Sequence, residues 1–318
     1  MQEARNDSNE TLQITMSPKV AVIVVVRNGI EDTLECLRSL AADHYTNKEL
    51  ILVDDGSSDG SVQRVQEVWP AVRIIHTGGK RGPAAGNNAG FAEASKLGVK
   101  YSFLLSHDTT LEPGALSRLV QAGEQNEDAG VLAPVSHRYE APAKIWFSGA
   151  SLCLSRGRAV AIVSPLQGIH EPPYQAPWVS ACALLVRMVA VDFVGAFDEQ
   201  FYLAWDDVDW CVRLRALGWS ALVVPGARIF YKGTGSIRGE NNADCYYGVR
   251  NSLLLAHKHA GVGYWSALAC VAGRHLARAV AHRNSRDRHK ALDTVWAGLR
   301  DHWRGFYGVR GDEVRRAC

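Results

Sequence analysis

Val20-Ala21-Val22-Ile23-Val24-Val25-Val26 contains no polar residue, and it limits the fold more than any other segment. A strand with one face in water alternates apolar and polar residues. An unbroken β-branched run is instead buried on both faces, as in a parallel sheet covered by helices on either side. Shorter runs follow at Glu49 to Val53, Val72 to Ile75 and Tyr101 to Leu105. Between them lie helical segments: Glu31 to Ala42, with Leu34, Leu37 and Leu40 on one face, Ser61 to Val68, and Asn87 to Lys96 beyond a glycine-rich loop. Four alternations of strand and helix predict an α/β chain built on a doubly wound sheet, with its ligand at the carboxyl ends of the strands. At 318 residues, 47% hydrophobic and 21% charged, the chain suits one large α/β domain with appendages or two small domains.

Polar residues collect at those carboxyl ends. Arg27-Asn28 follows the first strand, Asp54-Asp55 the second, Lys80-Arg81 the third and Ser106-His107-Asp108 the fourth. A dinucleotide-binding domain needs G-x-G-x-x-G after its first strand, and Val26-Arg27-Asn28-Gly29-Ile30 does not supply it. A G-x-x-x-x-G-K-S/T phosphate loop is also missing, which counts against an ATPase. Further on, Trp205-Asp206-Asp207-Val208-Asp209 places three carboxylates in one short stretch. Like charges this close raise at least one pKa, and a carboxylate so tuned takes a proton from a hydroxyl near neutral pH. The plainer alternative is an acidic helix N-terminus.

These segments together resemble glycosyltransferase family 2. The resemblance is carried by Val24 to Asn28, Leu52-Val53-Asp54-Asp55-Gly56-Ser57-Ser58-Asp59-Gly60, Gly82-Pro83-Ala84-Ala85-Gly86-Asn87-Asn88-Ala89-Gly90, Phe197-Asp198-Glu199 and the Trp205 to Asp209 cluster. Val224-Pro225-Gly226 and Tyr246-Tyr247-Gly248-Val249-Arg250-Asn251 extend it toward bacterial rhamnosyl- and galactofuranosyltransferases. It implies an A-type glycosyltransferase fold, a doubly wound mixed sheet with a C-terminal helical extension. It also implies an NDP-sugar donor, dTDP-rhamnose or a UDP-sugar, and inversion at the anomeric carbon. The acceptor is a hydroxyl of a glycan, a polyprenyl-linked carrier or a small molecule. In such an enzyme Asp207 is the general base and Asp206 holds sugar or acceptor hydroxyls, while Asp209 pairs with Arg213. Arg27, Asp54 and Asp55 contact the nucleoside, with Asp55 suited to accept an imide N–H. Lys80 and Arg81 reach the diphosphate.

The leaving-group side departs from the family pattern. Ser106 stands where the first residue of an Asp-x-Asp pair is expected, and Tyr231 where a histidine is expected. Only Asp108 remains as a metal ligand, with Ser106 and His107 beside the cofactor. Mg²⁺ or Mn²⁺ is therefore expected to bind weakly, and Lys232, Lys80 or protonated His107 is the alternative neutralising group. Trp146, Trp178, Tyr202 and Trp205 are candidates to stack on a sugar.

A net charge of +2 argues against a dedicated nucleic-acid binder. Seven cysteines without a C-x-x-C pair read as buried small residues of a reducing compartment. Residues 1–17 are expected to be a disordered leader and 18–258 a catalytic domain, divided into a nucleotide-binding half (18–110) and an acceptor half (111–258). Residues 259–318 are expected to form a basic helical extension. No run reaches the roughly 18 to 20 apolar residues of a membrane span, so the expectation is a cytoplasmic protein. Arg274, Arg278, Arg283, Arg286, Arg288 and Lys290 lie beyond the apolar Tyr264 to Val271, and suggest either peripheral contact with the inner membrane face or a solvated basic face. Two rivals stay open, a catalytically inactive nucleotide-sugar-binding protein and a nucleotidyltransferase.

Overall fold

The structure, a computed structural model, describes residues 17–162, 172–233, 242–281 and 284–310. The expected leader, apart from Ser17, and Arg283 lie outside these residues. In chain order, β1 (Val20–Val26), α1 (Ile30–Ala41), β2 (Lys48–Asp54), α2 (Ser61–Val68), β3 (Arg73–His76), α3 (Pro83–Lys96) and β4 (Tyr101–Ser106) alternate as the apolar runs predict. The second half is less regular. It continues with β5 (Thr109–Leu111), α4 (Ala115–Gln125), β6 (Ala129–Arg138), β7 (Ala141–Phe147), β8 (Ala150–Cys153), β9 (Arg158–Ala161), β10 (Tyr174–Gln175) and β11 (Ala183–Arg187). Then come α5 (Met188–Val194), α6 (Asp206–Ala216), β12 (Ser220–Tyr231), α7 (Asn242–His259), α8 (Tyr264–Val280) and α9 (Ser285–Trp303).

The central sheet has the order β10-β12-β6-β11-β4-β1-β2-β3, with β5 on β12 and β7 on β6. β1 to β4 are mutually parallel where they pair, and β11 closes against β4 antiparallel, so the sheet is mixed. The chain moves outward from β1 through β2 to β3, then returns to place β4 on the other side of β1. That reversal opens a crevice at the carboxyl ends of β1 and β4.

Burial on both faces explains the apolar β1. Val22 and Val24 face Leu34, Leu37 and Leu40 of α1 with Leu116 and Leu119 of α4, while Ala21 and Ile23 face Phe91 and Ala94 of α3. α3 starts at Pro83, four residues before the expected Asn87. Pro83 sits in the first turn, where its missing N–H costs nothing. A Cβ on Gly90 would come within 2.3 Å of Ile23 Cγ2, so glycine lets this helix lie directly on β1. At the C-terminus, α7, α8 and α9 pack around Val249, Leu253, Val271, Val295 and Leu299.

Candidate active site

The β1 and β2 loops are stapled together at the expected nucleoside position. Asn28, at φ 60, donates its N–H to Ser57 Oγ at 3.0 Å, and its Oδ1 accepts from Ser58 N at 2.8 Å. Asp54 Oδ1 accepts from Ser57 N at 2.8 Å and Oδ2 lies 3.1 Å from His76 Nδ1. Burial alone would raise the Asp54 pKa, but the Ser57 and His76 contacts outweigh it and hold the group below its ordinary value. Arg27 is half-buried at the strand end.

Asp55 is oriented differently from the expectation of a direct nucleobase contact. It is 3% exposed, and its carboxylate accepts from Thr77 Oγ1 at 2.8 Å, Arg81 N at 2.8 Å and Gly82 N at 2.9 Å. Three donors thus bind it to the loop ahead of α3, whose shape it determines. Lys80 stays exposed on that loop. The Arg81 guanidinium is turned away from a free diphosphate-binding role, since its Nη2 pairs with Glu199 Oε2 at 2.7 Å. Asn88, a poor residue for a helix interior, exchanges two hydrogen bonds of 2.9 Å with the main chain of Phe197 and donates to Glu199 Oε1 at 3.2 Å. Two separated sequence motifs are joined by that one amide.

The acidic cluster opens α6. Asp206 and Asp207 occupy its first turn behind Trp205, whose side chain makes no capping bond. The loop ahead is strained: Tyr202, Ala204 and Trp205 have φ of 54, 62 and 74. For side chains with a Cβ this region costs about 1–2 kcal/mol per residue. Such strain recurs where backbone geometry serves a site. Asp207 Oδ2 accepts from Ala181 N at 3.1 Å and Oδ1 from Val208 N at 2.8 Å. Burial, and then the Asp207 charge, raises the pKa of Asp206. Burial raises Asp207 as well, tempered by the Ala181 and Val208 N–H groups. Two carboxylates coupled this closely titrate as a pair. Asp209 is distinct. It binds Arg213, His259 and Lys258 at 2.8, 2.7 and 2.7 Å, which overcome its burial and hold it at about 2. Its pairing with Arg213 is as the i,i+4 spacing predicts, while His259 and Lys258 carry no local sequence signal.

Asp108 is tied to the Asp206–Asp207 pair through the main chain, since Ser106 N donates to Cys182 O and Ala181 N to Asp207. It is 1% exposed and accepts a short hydrogen bond from Ser106 Oγ. Cys182 stands between the two acidic positions; burial first, and then the charges of both Asp108 and Asp207, push its thiol up to about 11. His107 covers the β1 loop, so that a Cβ on Gly29 would sit 3.2 Å from its Nε2. Among the described residues no group of three or more His, Cys, Asp or Glu is placed to share a metal ion. The single buried carboxylate of Asp108 fits an ion whose remaining ligands are phosphate oxygens and water.

Lys232 is not available to neutralise a diphosphate. Its Nζ binds Asp32 at 2.7 Å and Glu35 at 2.5 Å, and lies 4.6 Å from the Tyr139 ring centre. Burial would lower its pKa, but the two acids overcome that and raise it. Of the expected stacking residues, Trp146 packs on Tyr231 with ring centres 4.5 Å apart, Trp178 on Phe147 at 5.1 Å and Tyr202 on Tyr247 at 5.2 Å. A groove of about 420 Å³ is lined by residues that include Arg81, Glu199, Gln200, Tyr307 and Gly308.

Known proteins share this fold. The sequence model of the family described as Glycosyl transferase family 2 matches residues 21–191. N-acetylglucosaminyl-diphospho-decaprenol L-rhamnosyltransferase of Mycobacterium tuberculosis is 27% identical over 273 residues, covering 79% of this chain and 86% of the relative. Among solved structures, GalNAc-T7 with UDP, GalNAc and Mn²⁺ superposes with TM-score 0.65 at 12% identity, over 90% of this chain and 56% of that one. The mannosyltransferase PcManGT of Pyrobaculum calidifontis, in complex with GDP-Man and Mn²⁺, has TM-score 0.56 at 15% identity, over 91% of this chain and 88% of its own. These likenesses place the mixed sheet and its crevice in the A-type glycosyltransferase fold.

Proposed function

This chain belongs to glycosyltransferase family 2, and from that premise we propose that it moves a sugar, with inversion, from dTDP-rhamnose or a UDP-sugar to a hydroxyl of a lipid-linked glycan. Asp207 is the general base. The observation that carries the reading is the Asp206–Asp207 pair in the first turn of α6, Asp206 buried and Asp207 half-buried, with both pKa values raised. A carboxylate in that range accepts the acceptor's proton as its oxygen attacks the sugar carbon. The Ala181 and Val208 N–H groups aim the Asp207 oxygens, and Asp206 holds a sugar or acceptor hydroxyl.

On the donor side, Arg27 and the loop around Asp54 receive the nucleoside. Asp55 acts through the loop it holds, with Lys80 as the exposed cation beside the diphosphate. Asp108, with Ser106 hydrogen-bonded to it and His107 nearby, would hold a divalent ion together with the diphosphate oxygens. That ion would supply charge neutralisation of the leaving group.

A lipid-linked acceptor is supported by the decaprenyl acceptor named for the mycobacterial relative and by the outward face of α8. Trp265, Ala269, Gly273, Ala277 and Val280 are all exposed there, with Val262 exposed in the turn just before it, and Trp303 and Phe306 are exposed at the end of α9. Arg278, Arg286 and Lys290 are exposed at the other end of the two helices. Among the described residues no helix is long and apolar enough to cross a membrane, so the proposed contact is peripheral, through an apolar stripe with aromatic ends and a basic border. The direct test is incubation with a panel of NDP-sugars and a polyprenyl-diphosphate-linked sugar, scored for NDP release. Acceptor-dependent release from dTDP-rhamnose or a UDP-sugar supports the reading. NTP consumption with pyrophosphate release would replace it with nucleotidyl transfer.

A further inference from the structure

We propose that Asn251, locked in place by Arg250, is the positioning residue for the Asp206–Asp207 pair, acting as a clamp from α7 on the backbone of the loop that delivers those carboxylates. The proposal rests on the reading of Asp207 as the base and adds the device that aims it.

The loop from Phe201 to Trp205 is held locally by Leu203 N–H on Phe201 O at 2.6 Å and Tyr202 N–H on Glu199 O at 3.2 Å, neither of which restrains Ala204. Tyr202, Ala204 and Trp205 all hold left-handed φ values. None of these residue types favours that region, since their side chains offer the backbone no local hydrogen bond. The missing restraint comes from about fifty residues away. Asn251 Nδ2 donates to Phe201 O at 2.5 Å, Leu203 O at 2.8 Å and Ala204 O at 3.1 Å. One buried amide therefore gathers three carbonyls of one loop, and the α6 N-terminus begins immediately after the last of them. Trp205 O accepts the first helical bond from Asp209 N at 2.9 Å, so the carbonyl positions set where α6 starts and where Asp206 and Asp207 point.

Arg250 determines which way that amide faces. Its Nε donates to Asn251 Oδ1 at 3.0 Å, which leaves only the Nδ2 side free to meet the loop. The guanidinium also donates to Gln200 O at 3.2 Å and to Gly308 O at 2.9 Å. It lies 4.8 Å from the Tyr247 ring centre and 5.4 Å from that of Tyr246. A fully buried guanidinium is costly unless its donors are met, and here they are spent on the segment before the loop, on the irregular chain after α9 and on Asn251. The clamp also reaches the donor side. A Cβ on Gly82 would come within 2.5 Å of Tyr202 O, so the loop held by Asp55 rests directly on the loop held by Asn251. A slack acidic loop would then shift against both the acceptor and the donor diphosphate.

The test compares Asn251→Ala, Asn251→Asp and Arg250→Lys with wild type. Turnover is measured with the NDP-sugar that gives the fastest release, and calorimetric titration with UDP and dTDP gives affinity and binding stoichiometry. Misplacing a reacting group by about 1 Å costs roughly 10²-fold, so kcat should fall by about that factor in both Asn251 variants. Donor KM and nucleotide affinity should stay within a fewfold, at unchanged stoichiometry. Arg250→Lys keeps the charge but loses the fork, and should fall about 10-fold. A merely structural residue would lower kcat and stoichiometry together, because fewer chains are folded, and that result overturns the proposal. So does wild-type kcat in the Asn251 variants. If those variants bind no nucleotide, the decision passes to Arg250→Lys, whose kcat must fall at full stoichiometry. Asp207→Asn run alongside separates the two readings. An active Asp207→Asn removes the base assignment, whereas an inactive one beside fully active Asn251 variants removes only the clamp.

Discussion

Asp55 Oδ2 accepts the main-chain N–H of Gly82 at 2.9 Å, while Asp55 Oδ1 takes the N–H of Arg81. One side chain at the end of β2 thereby folds the loop that leads into α3. Charge-assisted bonds of this kind contribute about 1.5–3 kcal/mol each, and removing the carboxylate leaves the donors unmet. Asp55→Ala should weaken UDP or dTDP binding by about 10-fold or more. Arg27→Ala should weaken it independently. Calorimetric titration giving unchanged affinity for both variants would move the nucleotide site elsewhere.

Metal dependence should be shallow. Asp108 is the carboxylate at the expected Asp-x-Asp position, Ser106 is bound to it, and Tyr231, where a histidine is expected, packs on Trp146. With so few protein ligands, Mg²⁺ or Mn²⁺ should bind mainly through the donor's phosphate oxygens, so metal and donor should bind cooperatively. Chelator should reduce the rate readily, and millimolar Mn²⁺ should restore it. A metal retained through extensive chelation and lost in Asp108→Ala would contradict this. Full activity in chelator would instead assign the neutralising role to Lys80 or His107, since Lys232 is held by Asp32 and Glu35.

The α8 and α9 surface should bind anionic bilayers. Trp265 is 71% and Trp303 65% exposed, at the same end of the antiparallel helix pair. Burying a large apolar side chain contributes about 1.5–3 kcal/mol, so replacing both with serine should lower the vesicle partition coefficient by about 10-fold or more. Turnover on a short soluble acceptor should be unaffected. Sedimentation with vesicles rich in phosphatidylglycerol checks this, and equal binding by wild type and the double variant would refute it.

What could be read in the sequence follows the range of the interactions. β1 to β4 were legible to within a residue or two because burial on both faces leaves a continuous apolar run. The start of α3 was not, because Pro83 to Gly86 has the composition of a turn, although proline is also suited to a first helical turn. β6, β11 and β12 pair out of chain order, which no local pattern encodes. The same limit applies to the site. Asp209 and Arg213 are four residues apart and their pairing was predictable. Lys232 was misread because its acids lie 200 and 197 residues away. Arg250 and Asn251 stood out as a motif, but their role depends on a loop some fifty residues upstream.

The central claim is that Asp207 accepts the acceptor's proton, and the most direct measurement is kcat against pH for wild type and Asp207→Asn. Burial raises both members of the coupled pair from the ordinary carboxylate range toward neutrality. A base must be deprotonated to act, so the wild-type rate should rise with pH through this window and level off above it. Asp207→Asn keeps the shape and removes the basicity. It should lose roughly 10²-fold or more in kcat, lose that rising limb, and bind UDP or dTDP as wild type does. An Asp207→Asn enzyme within a fewfold of wild type, with the same acid limb, would contradict the assignment.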